Sequence, residues 1–402
     1  MPVILPFSVV TIMPQLAPHI LPQKVLVSKS TPVPVFLSLI FYHLIDPELT
    51  MTMIFEGLTG EPGTRSYHKL EIVEMLDGNM LYIPVHVVHG SDPGPVLGLY
   101  ANIHGTEYYQ NRIIRTVVKG INPDELRGTI IAVPVANPYS FAAMTRGTPN
   151  PPEETVDFSN MNRVFPGKRL TPLFGSMNPN DVSLTMRIAA KISDELIPKC
   201  SHILDYHGQM AGMALNKMLF NLDPPSKEMA RVFGLGILHD PPGSIGNSTY
   251  MPMTSYAGTL GIPSAVPEIG GGGHGERFEA ECERVGVRGT LNVMKHLGML
   301  DGEPDVPKKQ FYFLHAPHVR ASHGGYFVSD MEASDVGIGK PPREVSEGEV
   351  LGTVYSPYSF EELEQIKSPC DGLIYACRVS GLVNPQSEVL AVADFRDSKW
   401  IE

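Results

Sequence analysis

The sequence predicts an α/β protein with a mixed, mostly parallel sheet flanked by helices, followed by a small all-β domain. Apolar runs typical of buried strands, at 95–103 and 129–135, alternate with segments of helical spacing such as 182–197. Alternation of this kind is typical of a largely parallel sheet with helices on both faces. An irregular segment is predicted at 137–180, because Pro, Gly, Asn and Arg dominate there.

The length of the chain indicates more than one folded domain. At 402 residues it exceeds the usual size of a single hydrophobic core. Residues 1–50 are apolar and rich in proline, without helical periodicity, and their apolar stretch at 35–45 is too short to span a bilayer. We therefore predict a poorly structured extension at 1–50 without stable membrane insertion, with an interfacial anchor as the alternative. A main, catalytic domain is predicted at 51–305, and a β domain at 306–402, where short apolar segments alternate with turns.

Charge and cysteine content exclude several classes of protein. The net charge is -12, and no cluster of basic and aromatic residues reverses that sign locally, so nucleic acid is not an expected partner. The four cysteines form neither a CxxC pair nor a disulfide framework. This usage predicts a cytoplasmic protein, because the cytoplasm keeps thiols reduced.

Two histidines and one glutamate form a candidate metal site. His104 and Glu107 follow the strand at 95–103 in the segment His-Gly-Thr-Glu, and His207 follows the strand at 203–206 in a similar His-Gly context. Two histidines and one carboxylate, with a fourth position open for water, are the ligand set of many catalytic zinc sites. Because the HxxE spacing is a weak signal by itself, the alternative is that both histidines only cap buried strands.

Glu268 is a candidate general base. It stands at the end of an apolar run and is followed by four glycines, which permit a close approach of the backbone. A carboxylate beside a metal site can accept the proton of the attacking water. The structural alternative is a glutamate bonded to the amides of the glycine turn.

Polar residues of the irregular segment form a candidate anion site. Arg146 precedes the adjacent pair Asn162 and Arg163 in this segment. A guanidinium matches the forked geometry of a carboxylate, and an asparagine can add a neutral hydrogen bond. Because apolar residues flank Arg163, we expect it to be partly buried and to require an anionic partner.

Several motifs, in this order, resemble the succinylglutamate desuccinylase and aspartoacylase family. They are HGTE at 104–107, VPVANPYSF at 133–141, Arg146, NMNRVFPG at 160–167, LDYHG at 204–208 and PEIGGGG at 267–273. The resemblance implies a zinc carboxypeptidase-like fold and one Zn²⁺ per chain, bound by His104, Glu107 and His207. It also implies that Glu268 activates water, Arg146 polarises the scissile carbonyl, and Asn162 and Arg163 hold a substrate carboxylate.

The carboxyl-terminal segments resemble the barrel-sandwich domain of biotinyl and lipoyl carriers. Such carriers modify a lysine in an exposed hairpin, but the corresponding segment at 328–333 has Met331 and no lysine. We therefore interpret this β domain as a lid over the site. Tyr326 is predicted to be a packed core aromatic residue, and the alternative is that it reaches the substrate from this domain.

The motifs support three functional hypotheses. The first is a zinc-dependent hydrolase that cleaves the amide bond of a small N-acylated amino acid. Its substrate would be anionic, and the sequence is compatible with a homo-oligomer. The second is a metallocarboxypeptidase acting on short peptides, because one fold can support both reactions. The third is a non-catalytic scaffold or binding protein, which would need neither the metal ligands nor Glu268.

Overall fold

The structure, a computed structural model, describes Leu58 and residues 60–149, 160–167, 182–210, 212–240 and 251–402. The chain divides into two compact units, 1–50 and 51–402, and every described residue lies in the second. The predicted extension at 1–50 therefore falls outside the described residues.

Six α-helices occur in these ranges, and none of them has the length and hydropathy needed to cross a membrane. They are α1 (Gln110–Gly120), α2 (Pro138–Ala143), α3 (Leu184–Glu195), α4 (Pro224–Phe233), α5 (Met253–Thr259) and α6 (Glu276–His296). The strands of the amino-terminal part are β1 (Thr64–Glu74), β2 (Met80–His89), β3 (Asp92–Ala101), β4 (Arg127–Val133), β5 (His202–Gln209), β6 (Met213–Phe220), β7 (Ile237–His239) and β8 (Ser264–Gly271). The later strands are β9 (Gln310–Phe313), β10 (His318–Arg320), β11 (Gly325–Ser329), β12 (Glu344–Val345), β13 (Val350–Tyr355), β14 (Glu362–Lys367), β15 (Gly372–Arg378), β16 (Ser380–Val383), β17 (Glu388–Asp394) and β18 (Ser398–Ile401).

Most of the described strands belong to one mixed sheet. Its main path runs in the order β1-β2-β4-β3-β5-β8-β6-β15-β17-β10. Strands β4, β3, β5 and β8 are parallel neighbours, whereas β2 and β6 pair with this centre in antiparallel orientation. The predicted α/β class with a mixed sheet is confirmed, and the parallel pairs of the main path lie at its centre.

Helices cover both faces of the sheet. Along β3, Leu97 and Leu99 belong to one hydrophobic core, together with residues of α1, α4 and α6. Tyr100 belongs to a second core, together with residues of α3 and α5. Successive side chains of a strand point to opposite faces of the sheet. Because helices cover both faces at β3, this strand needs a continuous run of apolar residues.

The start of the segment predicted to be irregular is instead helix α2. The side chain of Asn137 accepts a hydrogen bond from the backbone N–H of Ser140, and Pro138 occupies the first turn. An asparagine cap followed by proline favours the start of a helix as well as a turn. The prediction was wrong at this point because the Pro, Gly, Asn and Arg content of the whole segment was given more weight than this local cap signal.

The carboxyl-terminal region is rich in strands, as predicted, but it is not confined to a separate sheet. Strands β14-β13-β11-β16 form a four-stranded sheet, while β15 pairs with β6 and so extends the main sheet through β17 to β10. The domain boundary at 305/306 stays a prediction. The expectation for Tyr326 was wrong, because its side chain is 51% exposed.

The glycine run after Glu268 allows two strands to approach closely. Gly270 has a φ of +73°, and a Cβ built on Gly271 would lie 1.7 Å from the carbonyl oxygen of Met213. We expect Gly271→Ala to lower the free energy of unfolding in urea by about 1–3 kcal/mol, because the strands would have to separate. Gly120→Ala in α1 is the control, since a Cβ there meets no atom within 4 Å. Equal stability of the Gly271 variant and the wild type would contradict this account.

Candidate metal centre

The three predicted metal ligands lie together at the carboxyl ends of two neighbouring parallel strands. His104 and Glu107 follow β3, and His207 lies in β5, which pairs with β3 in the register Ala101 to Tyr206. All three side chains are buried, and one potential ligand atom from each lies within 4.8 Å of the others. The parallel centre of the sheet thus brings together residues that are 100 positions apart.

The partners of the two imidazoles determine which nitrogen faces the centre. Nε2 of His207 lies 3.1 Å from Oδ2 of Asp205, and Nε2 of His104 lies 2.9 Å from Oδ1 of Asn160. That amide oxygen also accepts the backbone N–H of Asn162, which identifies it as the oxygen. Both Nε2 atoms therefore carry a proton that they donate to these oxygens, and both Nδ1 atoms face the centre.

Both Nδ1 atoms face a carboxylate. Nδ1 of His104 lies 3.0 Å from Oε1 of Glu107, and Nδ1 of His207 lies 2.9 Å from Oε2 of the same side chain. Burial alone would raise the pKa of Glu107, but the two histidines lower it. Burial alone would lower the pKa of His207, but Asp205 and Glu107 raise it well above its usual value. The cluster therefore attracts a positive charge.

A divalent metal ion fits this donor set. Potential ligand atoms of the two imidazoles and the carboxylate lie within 4.8 Å of one another, and a metal ion between them would take the place of a proton that an imidazole shares with the carboxylate. Each imidazole donates its other N–H to a fixed oxygen, as metal-binding histidines usually do. Neither Asp205 nor Asn160 was predicted as part of the site. Asp205 could have been suspected, because it stands two residues before His207 on the same strand.

Glu268 lies one strand beyond His207. In the register of β5 and β8 the two residues are direct partners, so their side chains share one face of the sheet. Burial raises the pKa of Glu268, although Lys217 and His207 oppose this effect. The structure thus places this carboxylate beside the metal centre, where the sequence predicts a base.

The predicted anion-binding residues also reach the centre, although one differs from expectation. Nη1 of Arg146 donates to Oε1 of Glu107 over 2.7 Å. Oδ1 of Asn162 accepts the backbone N–H of Met253, so its NH₂ group is directed toward His207. Arg163 is exposed, with Nη1 donating to the backbone oxygen of Asn162. Its predicted burial was wrong, because neighbouring apolar side chains pack inward and leave the guanidinium outside.

All seven residues predicted for the site line one cavity with a volume of about 260 Å³. Further lining residues were missed, four of which are Lys217, His318, Tyr375 and Glu388. Three of these come from the carboxyl-terminal strands β10, β15 and β17. No local sequence signal distinguished them, because each lies inside a short strand whose position depends on pairing with distant strands.

Comparisons with known proteins agree with this geometry. The sequence model of the succinylglutamate desuccinylase/aspartoacylase catalytic domain matches residues 93–297, just over half of the chain. The chain is 26% identical to the N-alpha-acetyl-L-2,4-diaminobutyric acid deacetylase of Halomonas elongata over 330 residues, which cover 79% of this chain and 86% of that protein. The family name and the name of this relative both describe hydrolases that remove an acyl group.

Solved structures share the fold. A succinylglutamate desuccinylase/aspartoacylase from Rhodobacter sphaeroides matches with a TM-score of 0.66 and 22% identity, covering 84% of this chain and 98% of that one. The ectoine utilization protein EutE from Ruegeria pomeroyi matches with a TM-score of 0.65 and 21% identity, covering 82% and 95%. The shared fold agrees with the ordered motifs and the clustered candidate ligands. The match of the catalytic-domain model to just over half of the chain identifies it as a member of the succinylglutamate desuccinylase/aspartoacylase family.

Proposed function

We propose that this protein is a zinc-dependent hydrolase that cleaves the amide bond of a small N-acylated amino acid. The observation that carries the proposal is the convergence of His104, Glu107 and His207 on one point, with Glu268 on the adjacent strand. We assign one Zn²⁺ per chain, because two imidazoles and one carboxylate are a common catalytic zinc ligand set.

The geometry supports hydrolysis assisted by a general base. Zinc bound at this site would polarise the scissile carbonyl and make water more acidic. Glu268 accepts a proton from the water that adds to the carbonyl carbon. When the carbon–nitrogen bond breaks, the same carboxyl returns that proton to the leaving nitrogen, which departs as an amine. The second proton of the water stays on the new carboxylic acid until it passes to the amine, so the final products are a carboxylate and an ammonium group.

Three further residues are assigned to the substrate. Arg146 lies beside Glu107, so its guanidinium can stabilise negative charge that develops on the carbonyl oxygen. Asn162 directs its NH₂ group into the cavity, and Arg163 lines the same wall. We propose that this pair holds the α-carboxylate of the substrate through hydrogen bonds and charge.

The size of the cavity favours a small substrate over a peptide. Its volume is about 260 Å³, and strands β10, β15 and β17 contribute part of its wall. Because these strands close part of the cavity, a long peptide has less room on both sides of the scissile bond than it would have in an open cleft. The deacetylase from Halomonas elongata supports the choice of an acylated amino acid, with acetyl and succinyl groups as the candidates.

We also propose that the reaction takes place in the reducing cytoplasm. All four cysteines are free and buried, and burial raises the pKa of each thiol. Thiols in this state are inert and do not cross-link the fold.

A substrate panel tests the proposal directly. We expect the zinc-loaded protein to release free amine from at least one N-acetyl or N-succinyl amino acid, with N-acetyl-2,4-diaminobutyrate and N-acetylaspartate included. Removing the metal with a chelator should abolish the release, and adding Zn²⁺ should restore it. Amine release is measured with an amine-reactive dye.

Two outcomes would contradict the proposal. One is the absence of turnover on every acyl amino acid when zinc is bound, which would favour a scaffold. The other is release of terminal residues from a decapeptide at rates comparable to those on small amides, which would favour a carboxypeptidase.

A further inference from the structure

A buried glutamine lies between the strands that carry His207 and Glu268. Gln110 is the first residue of α1 and is only 1% exposed. Its Nε2 donates a hydrogen bond of 2.7 Å to the backbone oxygen of Ile269, the residue directly after Glu268. The start of α1 is therefore fixed to β8 beside the proposed base.

The same amide group packs against β5. A Cβ built on Gly208 would lie 2.0 Å from Nε2 of Gln110 and 2.9 Å from the backbone oxygen of Ile269. Any side chain at position 208 would therefore displace the amide, whereas glycine leaves room for it. Because Gly208 directly follows His207, the glutamine contacts the neighbour of a metal ligand on one strand and the neighbour of the base on the other.

The pairing of β5 with β8 is irregular at this level. His207 pairs with Glu268, but the next pair is Gln209 with Gly271, so β8 has one residue more than β5 over this stretch. An extra residue of this kind interrupts the hydrogen-bond ladder and bends its strand. The Gln110 amide lies at this bulge and supplies a hydrogen-bond donor there.

The turn before α1 is bound to the same point of β5. Oε2 of Glu107 accepts the backbone N–H of Gly208 over 3.3 Å and also lies 2.9 Å from Nδ1 of His207. Glu107 and Gln110 are three positions apart, so one short segment supplies both a metal ligand and the amide at the bulge. Gln110 does not line the cavity and therefore has no direct access to the substrate.

We propose that Gln110 is a positioning residue that sets the separation of His207 and Glu268 across the bulge. The inference rests on the proposed function, in which Glu268 accepts a proton from water at the metal centre. A base must lie within hydrogen-bond distance of that water, and a displacement of about 1 Å can lower the rate by about 100-fold. Gln110 thus acts on the reaction through Glu268.

Gln110→Met tests this role, because methionine has a similar length but no hydrogen-bond donor. In the zinc-loaded enzyme we expect kcat on the best substrate of the panel to fall by at least about 10-fold. KM and zinc content should stay near wild type, because the cavity walls and the three ligands are unchanged. Gln110→Asn keeps the amide on a shorter side chain that no longer reaches Ile269. It should lower kcat in the same way and replaces the methionine variant if that variant does not fold.

The matched control is Gln310→Met. Gln310 in β9 is also 1% exposed, and its Nε2 donates a hydrogen bond of 2.8 Å to the backbone oxygen of Arg231, outside the cavity. Within the described part of the chain, Oε1 of both glutamines is buried without a hydrogen-bond partner. The two substitutions therefore remove the same groups and should lower the urea midpoint by similar amounts. Equal losses of kcat in both variants would reflect reduced stability and would overturn the inference.

A double-variant cycle tests whether the glutamine acts through the base. In the Glu268→Gln enzyme, adding Gln110→Met should lower the remaining turnover by less than about two-fold, because residues that act as a unit have non-additive effects. A damaged metal site or substrate pocket would instead lower this residual turnover as strongly as it lowers that of the wild type. A further fall of about 10-fold would therefore contradict the inference.

Amide hydrogen exchange provides a readout that does not depend on turnover. Zinc-loaded Gln110→Met should exchange faster than the wild type in segments 205–210 and 264–271, because a contact that holds these strands is lost. Gln310→Met should leave both segments unchanged. If the wild type hydrolyses no compound, the proposed function fails, and faster exchange supports the inference whereas unchanged exchange overturns it. Hydrolysis with a normal kcat in folded Gln110→Met would overturn the inference alone.

Discussion

Replacement of Glu268 by glutamine is expected to lower turnover by at least about 100-fold while zinc remains bound. Glutamine keeps the size of the side chain but cannot accept a proton from water. Glu268 is the register partner of His207 and is not among the clustered ligand residues. The variant should therefore separate base catalysis from metal binding, with little change in KM.

The measurement combines initial rates of amine release with metal analysis of the same sample. Glu228→Gln is the control, because Glu228 is on α4 and pairs with Arg231 outside the cavity. That control should keep wild-type turnover. If Glu268→Gln kept most of its turnover with zinc bound, another residue would have to be the base.

Replacement of His207 by alanine should remove metal binding and activity together. Its Nδ1 is one of the three converging donors, so its loss leaves only His104 and Glu107. We expect zinc affinity to fall by more than about 100-fold, because even changes to residues that only orient a ligand can cost that much. The affinity is measured by competition with a chromophoric chelator.

His202→Ala provides a control on the same strand. His202 is also in β5, but its Nδ1 contacts the hydroxyl of Ser201 and it is not part of the ligand cluster. This variant should bind zinc as the wild type does. A His207 variant that held zinc with normal affinity would show that the ion is bound by a different set of residues.

The parts of the site that could be predicted from the sequence are those in which neighbouring residues act together. His104 and Glu107 are three positions apart, and Asn162 and Arg163 are adjacent, so a local turn is enough to bring each pair to the same wall. Helix boundaries followed from periodicity in the same way, as in α3, which was predicted at 182–197 and is observed at Leu184–Glu195. The start of α2 was missed because its signal is only two residues long.

Residues whose role depends on a distant partner could not be predicted. The burial of Arg163 was expected from its apolar neighbours, yet these residues turn inward and leave the arginine exposed. Asn160 lies inside a quoted motif, but only the fold shows that its amide oxygen fixes the proton of His104 on Nε2. Such roles depend on side-chain directions, which adjacent sequence does not specify.

The sequence by itself determined the α/β class, the strand ends that bear His104 and His207, and the carboxylate of Glu268 before its glycine run. These features are local, because hydrophobic periodicity sets strands and helices and the residue types set the available chemistry. Only the tertiary structure decided that β15, β17 and β10 extend the main sheet beyond β6. Strand order depends on pairing between segments that are far apart in the sequence, so the position of Lys217 beside Glu268 and Tyr375 follows from the fold and not from any motif.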